Sequence, residues 1–145
     1  VDLPVLVVIA ASFALGNAMT ETGAATWVAG GLLGFGPLTP WVALAIVYFL
    51  TAVFTEVITN NAAAVLMFPI ALAVSEQLGV SFLPFAVAVM FAASASFVTP
   101  LGYQTNLMVY GPGRYRFSDY VRVGFPLSIL AGIVVLALVP LVWQF

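Results

Sequence analysis

The sequence predicts an all-α membrane protein, a multi-pass helical bundle in which some helices are interrupted. Three observations predict it. Apolar residues make up 64% of the chain and charged residues 6%, with a mean hydropathy of +1.22, whereas a soluble domain carries about a quarter charged residues. The three basic and five acidic residues leave long uncharged stretches at 3–20, 22–55, 57–75, 77–113 and 123–145, and a spanning helix needs about 20 mostly apolar residues. Most of the remaining polarity falls in two short stretches with apolar flanks, Thr55–Asn61 and Thr99–Asn106.

The same composition excludes much. Lys is absent, so there is no basic footprint for nucleic acid. Cys and His are also absent. That removes disulfides, His-ligated metals and any Ser-His or Cys-His nucleophile. Val1-Asp2-Leu3-Pro4 has neither an initiator Met nor a basic n-region. It is expected to be the start of a piece of a longer chain, not a secretory signal.

Taken in order, Val5–Met19 reads as a helix of uncharged residues. Gly30-Gly31-Leu32-Leu33-Gly34-Phe35-Gly36-Pro37 reads as a loop or short interfacial turn, because four Gly and a Pro oppose a stable helix. Trp41–Ile58 is helical in composition and follows Thr39-Pro40, with Pro suited to a first turn. Ala62–Glu76 is a second helix of this pair, carrying Pro69 inside it. Leu78-Gly79-Val80 marks a connection, Phe82–Phe97 a further helix opening near Pro84, and Gly124–Val142 a final helix rich in Ile, Leu and Val.

The two polar stretches carry the chemistry. Pro100 and Gly102 would break a helix, and Asn60, Asn61 and Asn106 cost several kcal/mol each if left unpaired in hydrocarbon. Non-helical backbone at membrane depth persists only when buried in protein or lining a wet cavity. A broken helix exposes N–H groups that attract anions and carbonyls that coordinate Na⁺. Neutral Asn and Thr groups suit an ion that must bind and leave. Residues alone leave a second reading open, in which Thr59-Asn60-Asn61 is an exposed turn and Thr99–Asn106 a loop outside the bilayer. Glu56 is either a helix-end carboxylate at the interface or an intramembrane acid facing the protein interior. The interior is the favoured placement, while Glu21 and Glu76 are expected at the interface.

These residues carry a resemblance. Thr55-Glu56-Val57-Ile58-Thr59-Asn60-Asn61-Ala62, followed by Met67-Phe68-Pro69-Ile70, resembles the outer re-entrant hairpin of the divalent anion/sodium symporter family, where the pattern is Thr-Glu-x-x-Ser-Asn-Thr-Ala. The run from Thr99-Pro100-Leu101-Gly102-Tyr103-Gln104-Thr105-Asn106 to Gly113 is similar to the unwound loop and half-helix of the same half. Arg114–Tyr120 and Ala14–Ala24 also fit. The resemblance implies one half of an inverted-repeat transporter, its C-terminal repeat: a scaffold helix at 3–27, a re-entrant helical hairpin at 38–76, a broken transmembrane helix at 82–113, an interfacial segment at 114–122 and a final helix at 123–145. It implies sodium-coupled transport of small anions, the missing N-terminal repeat as partner, and a homodimer. Carried over by position, Thr59, Asn60, Asn61, Thr105 and Asn106 fall on the substrate site. Thr59, Asn60, Thr99, Pro100, Gly102 and Asn106 fall on a sodium site. Two departures stand out: Asn61 lacks the hydroxyl of the third triplet residue, and Tyr103-Gln104-Thr105 replaces the Pro and Asn common in dicarboxylate carriers. Sulfate is therefore expected over dicarboxylate.

Charge gives an independent orientation. Arg114, Arg116 and Arg122 precede the final helix, so the positive-inside rule puts the loop at 112–122 in the cytoplasm of a cell-membrane protein and the C-terminus outside. Na⁺ is expected as the coupling ion, with no cofactor and no enzymatic activity. The competing functions are an arsenite-type permease or Na⁺/H⁺ antiporter, which would need Glu56 as its carboxylate, and a non-transporting membrane anchor, which would leave both Asn motifs unexplained.

Overall fold

The computed structural model describes residues 3–34 and 39–145. Among the described residues there are seven helices and no strand: α1 Leu3–Glu21, α2 Ala24–Leu33, α3 Pro40–Val57, α4 Asn60–Leu78, α5 Leu83–Ser94, α6 Gln104–Tyr110 and α7 Phe117–Val142. Of these, α3, α4 and α7 are long and apolar enough to cross a membrane. The all-α membrane class predicted from composition holds.

The core is built where α3, α4 and α5 meet. On α5, Phe85, Ala88, Val89 and Ala92 are buried, the i, i+3, i+4, i+7 spacing of one helical face. On α3, Leu44, Val47, Thr51 and Thr55 do the same. Small residues, Ala63, Ala71, Ala88 and Ala92 among them, let the backbones approach closely. Thr51 donates to the Val47 carbonyl at 2.7 Å, which satisfies a hydroxyl that would otherwise be unpaired in the core.

The directions of the helices follow from contacts at their ends. Phe145 packs edge-on against Trp41 and Phe85, each at 6.0 Å, so the end of the chain lies at the N-terminal ends of α3 and α5. At the other end, Gly124 of α7 meets the backbone of Phe97, just past α5. Hence α3 and α5 run parallel and α7 runs antiparallel to both. Helix α7 buries Gly132 against the Tyr48 ring and Val135 and Val139 in the core. Its Leu130, Ile133, Leu138 and Leu141 remain exposed.

Several sequence expectations change. The 3–27 helix divides at Thr22–Gly23, where Gly23 adopts φ 71° and the helix ladder ends. The stretch from Gly30, expected as a loop, is helical as far as Leu33, and residues 35–38 lie outside the described residues, as do 1–2. Glycine propensity is overridden there by packing: Ala25 and Ala29 of α2 are buried, and Gln77 of α4 donates to the Thr26 carbonyl at 3.1 Å. The helix expected over Phe82–Phe97 stops at Ser94: the Ala95 N–H closes a tighter turn on the Ala92 carbonyl at 3.1 Å, and the amides of Phe97, Val98 and Thr99 turn to a side-chain acceptor. Finally, α7 begins at Phe117, so the second half of the 114–122 stretch forms its first turns. Asp119 accepts from the Arg116 backbone N–H at 2.8 Å and caps that start.

Candidate functional site

The two polar stretches lie at the C-terminal ends of α3 and α5. The break after α3 is short. Ile58 and Thr59 are extended, and α4 starts at Asn60. Thr59 caps α4, its hydroxyl accepting from the Ala62 N–H at 3.3 Å, while Asn60 Oδ1 accepts from the Asn61 N–H at 2.8 Å. Thr59 and Asn61 are exposed and Asn60 half-buried. The break after α5 is long, running from Ala95 to Tyr103.

Bonds from the last turn of α3 join the two breaks. The Glu56 carboxylate accepts from the Phe97 and Val98 N–H groups at 2.9 and 3.0 Å on one oxygen. On the other it accepts from the Thr99 N–H at 2.7 Å and the Ser96 hydroxyl at 3.3 Å. Thr99 Oγ1 returns a bond to the Glu56 carbonyl at 2.6 Å. Thr55 Oγ1, fully buried, donates to the Ala93 carbonyl at 2.6 Å. Gly102 is buried so close to the Thr55 carbonyl and Ser96 Oγ that no side chain could stand there.

The carbonyls of the unwound segment are held from its other side. Asn106 Nδ2 donates to the Ser96 carbonyl at 3.1 Å and reaches the Thr99 carbonyl at 3.5 Å. Tyr120 of α7 donates its hydroxyl to the Asn106 carbonyl at 3.0 Å. Both polarities of the opened backbone are thus paired by side chains, as a break in an apolar bundle requires. Tyr120→Phe is expected to lower stability by about 0.5–1.5 kcal/mol, the net worth of one bond to a carbonyl that α6 also uses in its own ladder. Thermal unfolding in detergent checks this, and an unchanged midpoint would show that the bond contributes nothing.

Of the residues singled out in the sequence, Thr99 and Asn106 make these cross-segment bonds, and Pro100 and Gly102 are buried in the segment. Thr105 is exposed on α6. Thr59, Asn60 and Asn61 sit at the start of α4 and bond locally. Glu56, half-buried, turns its carboxylate toward the packed segment at 96–99 and not toward solvent. Sequence reasoning missed Thr55, Ser96, Tyr120 and Gly124. It also missed that Glu56 takes the opened N–H groups of residues 97–99, which the sequence reading left for anions. A signal existed for Glu56: it is the sole charge between Glu21 and Glu76.

Long apolar helices, one of them interrupted and stitched by side chains to its unwound backbone, are the build of an integral-membrane protein. The chain belongs to the citrate transporter family, whose model matches residues 1–145. It is 44% identical over 140 residues to an uncharacterized transporter of Synechocystis, covering 96% of this chain and 23% of that protein. Sodium/sulfate cotransporter 1 of Chlamydomonas reinhardtii is 40% identical over 136 residues, 90% of this chain and 15% of that protein. A sodium-dependent dicarboxylate transporter of Staphylococcus saprophyticus is 28% identical over 140 residues, 95% of this chain and 27% of that protein. These relatives bear out the resemblance to the divalent anion/sodium symporter family. The chain spans about a quarter or less of their lengths.

Proposed function

We propose that the full protein is a sodium-coupled secondary transporter of small divalent anions, with sulfate preferred over dicarboxylate. The observation that carries this reading is the meeting of the last turn of α3, just before its break, with the unwound segment after α5, which Glu56 and Asn106 hold open. In this reading α3 and α4 form a re-entrant hairpin of the C-terminal repeat, and the missing N-terminal repeat supplies the other half of the site. Thr59, Asn60, Thr99, Pro100, Gly102 and Asn106 frame a sodium site, while Thr59, Asn60, Asn61, Thr105 and Asn106 face the anion. Na⁺ offsets the anion's charge and orders the hairpin tip. Each ligand therefore raises the affinity for the other by the same factor. The 112–122 loop lies in the cytoplasm and the C-terminus outside, and the transporter works as a homodimer. The activities for which the relatives are named support the anion class, and the tyrosine-containing loop supports sulfate.

The test uses the full-length protein in vesicles. Asn60→Ala and Asn106→Ala are each expected to reduce Na⁺-driven uptake of labelled sulfate to background at normal expression. Wild-type uptake by both would remove the site assignment. Uptake driven equally by a proton gradient without Na⁺ would replace the coupling ion.

A further inference from the structure

We propose that Glu56 is a positioning residue acting as a fixed internal anion, one that holds the unwound segment in the shape its ion site needs and carries no proton. This rests on the transporter reading above. Three consecutive backbone N–H groups, those of Phe97, Val98 and Thr99, converge on one carboxylate from a chain position more than 40 residues away. Such a run of amides is an anion-binding concavity. Here the anion is built in. The segment therefore spends these donors on Glu56 and not on substrate.

The geometry separates a fixed charge from a proton carrier. Each carboxylate oxygen accepts two bonds, and every partner is a donor. An ionised carboxylate is an acceptor only and meets four donors without conflict. A protonated one would turn its O–H toward an N–H and break at least one bond. Glutamine has the same size but would set its NH₂ against the same amides. Aspartate keeps the charge but is one C–C bond shorter, about 1.5 Å, too short to serve donors on both oxygens from the α3 backbone. The return bond from Thr99 Oγ1 to the Glu56 carbonyl ties side chain and main chain of the same residue into one clasp.

Glu56 thus ties the last turn of α3, directly before its break, to the α5–α6 break. Bonds to a charged group are strong enough that losing them should alter an equilibrium by about tenfold or more.

The experiment pairs a transport readout with one that needs no transport. The chain has no cysteine, so Leu101→Cys, at an exposed position of the unwound segment, can be introduced into a full-length protein made otherwise cysteine-free. Its rate of modification by a water-soluble thiol reagent is compared with Glu56 intact and with Glu56→Gln or Glu56→Asp. The expected result is an increase of about tenfold with Gln and a smaller one with Asp. In uptake, Glu56→Gln should raise the Na⁺ half-saturation about tenfold, and the pH profile of the residual transport should match that of the wild type. Unchanged labelling with Gln would overturn the clasp whatever the uptake shows. Should Gln not fold, wild-type labelling and Na⁺ half-saturation in Glu56→Asp would overturn it too. Full uptake in Glu56→Gln with a flattened pH profile would make Glu56 a proton carrier and also overturn it. Failure of the Asn60 and Asn106 test with altered labelling here would remove the ion site and leave the clasp standing.

Discussion

Gly102→Ala in the full-length protein is expected to abolish Na⁺-dependent uptake. A Cβ at this position would run into the Thr55 carbonyl oxygen and Ser96 Oγ. The hydroxyl of Ser96 can rotate, at the cost of its bond to Glu56. The Thr55 carbonyl cannot retreat, because it belongs to the last turn of α3 and the same residue is tied through its hydroxyl to the Ala93 carbonyl. The unwound segment must therefore lift off α3. Overpacking of a fitted interior costs about 1–3 kcal/mol, and here that strain falls on the clasp between the two breaks. Uptake at background with a lowered unfolding midpoint in detergent is the expected pair of results. Normal uptake would mean that the close approach is not required. Gly111→Ala, which faces open space on the far side of α6, serves as the control and should behave as wild type.

Gly124→Ala is expected to have the second largest effect, through the opposite face of the same segment. Its Cβ would meet the Phe97 carbonyl and crowd the Val98 amide nitrogen. Those residues donate to Glu56, so the segment is pinched between α3 and α7 and cannot yield to α7 without stretching bonds to the carboxylate. A fall in uptake of at least tenfold is expected, with a destabilisation of about 1–3 kcal/mol. The informative comparison is Gly132→Ala, two turns further along α7, whose Cβ would lie 3.2 Å from the Tyr48 ring. A ring can shift by a few tenths of an ångström where a peptide carbonyl held on both sides cannot, so Gly132→Ala should cost far less. Equal loss at both positions would show that α7 tolerates no added volume anywhere, and would remove the special role of its contact with the unwound segment.

Much of the site could be read from residue types. Pro100 and Gly102 announce the interruption after α5, and Thr99 and Asn106 lie close enough in sequence to satisfy an opened backbone. Thr59-Asn60-Asn61 announces the shorter break, since a threonine cap and two Asn do not continue an apolar helix. Residue types did not reveal Tyr120 or Gly124. Tyr120 reads as one more aromatic in a basic stretch. Gly124 reads as an ordinary glycine at the start of an apolar helix, and only the path of α7 across Phe97 gives it a task. The Gly30–Gly31 region shows the converse: local propensity spoke for a loop, and burial of Ala25 and Ala29 against the bundle made a helix.

The sequence by itself determined the solvent, the helical class and the two places where helices stop. Those follow from composition and short-range steric preference, which each stretch of chain carries wherever it is placed. Tertiary structure alone decided which acceptor each exposed amide would find. Glu56 and the amides of 97–99 are separated by more than 40 residues, and they meet only because α3 and α5 run side by side in the same direction. A buried hydrogen bond forms within about 3 Å or not at all, so that pairing depends on the register of packed helices, which no local pattern encodes.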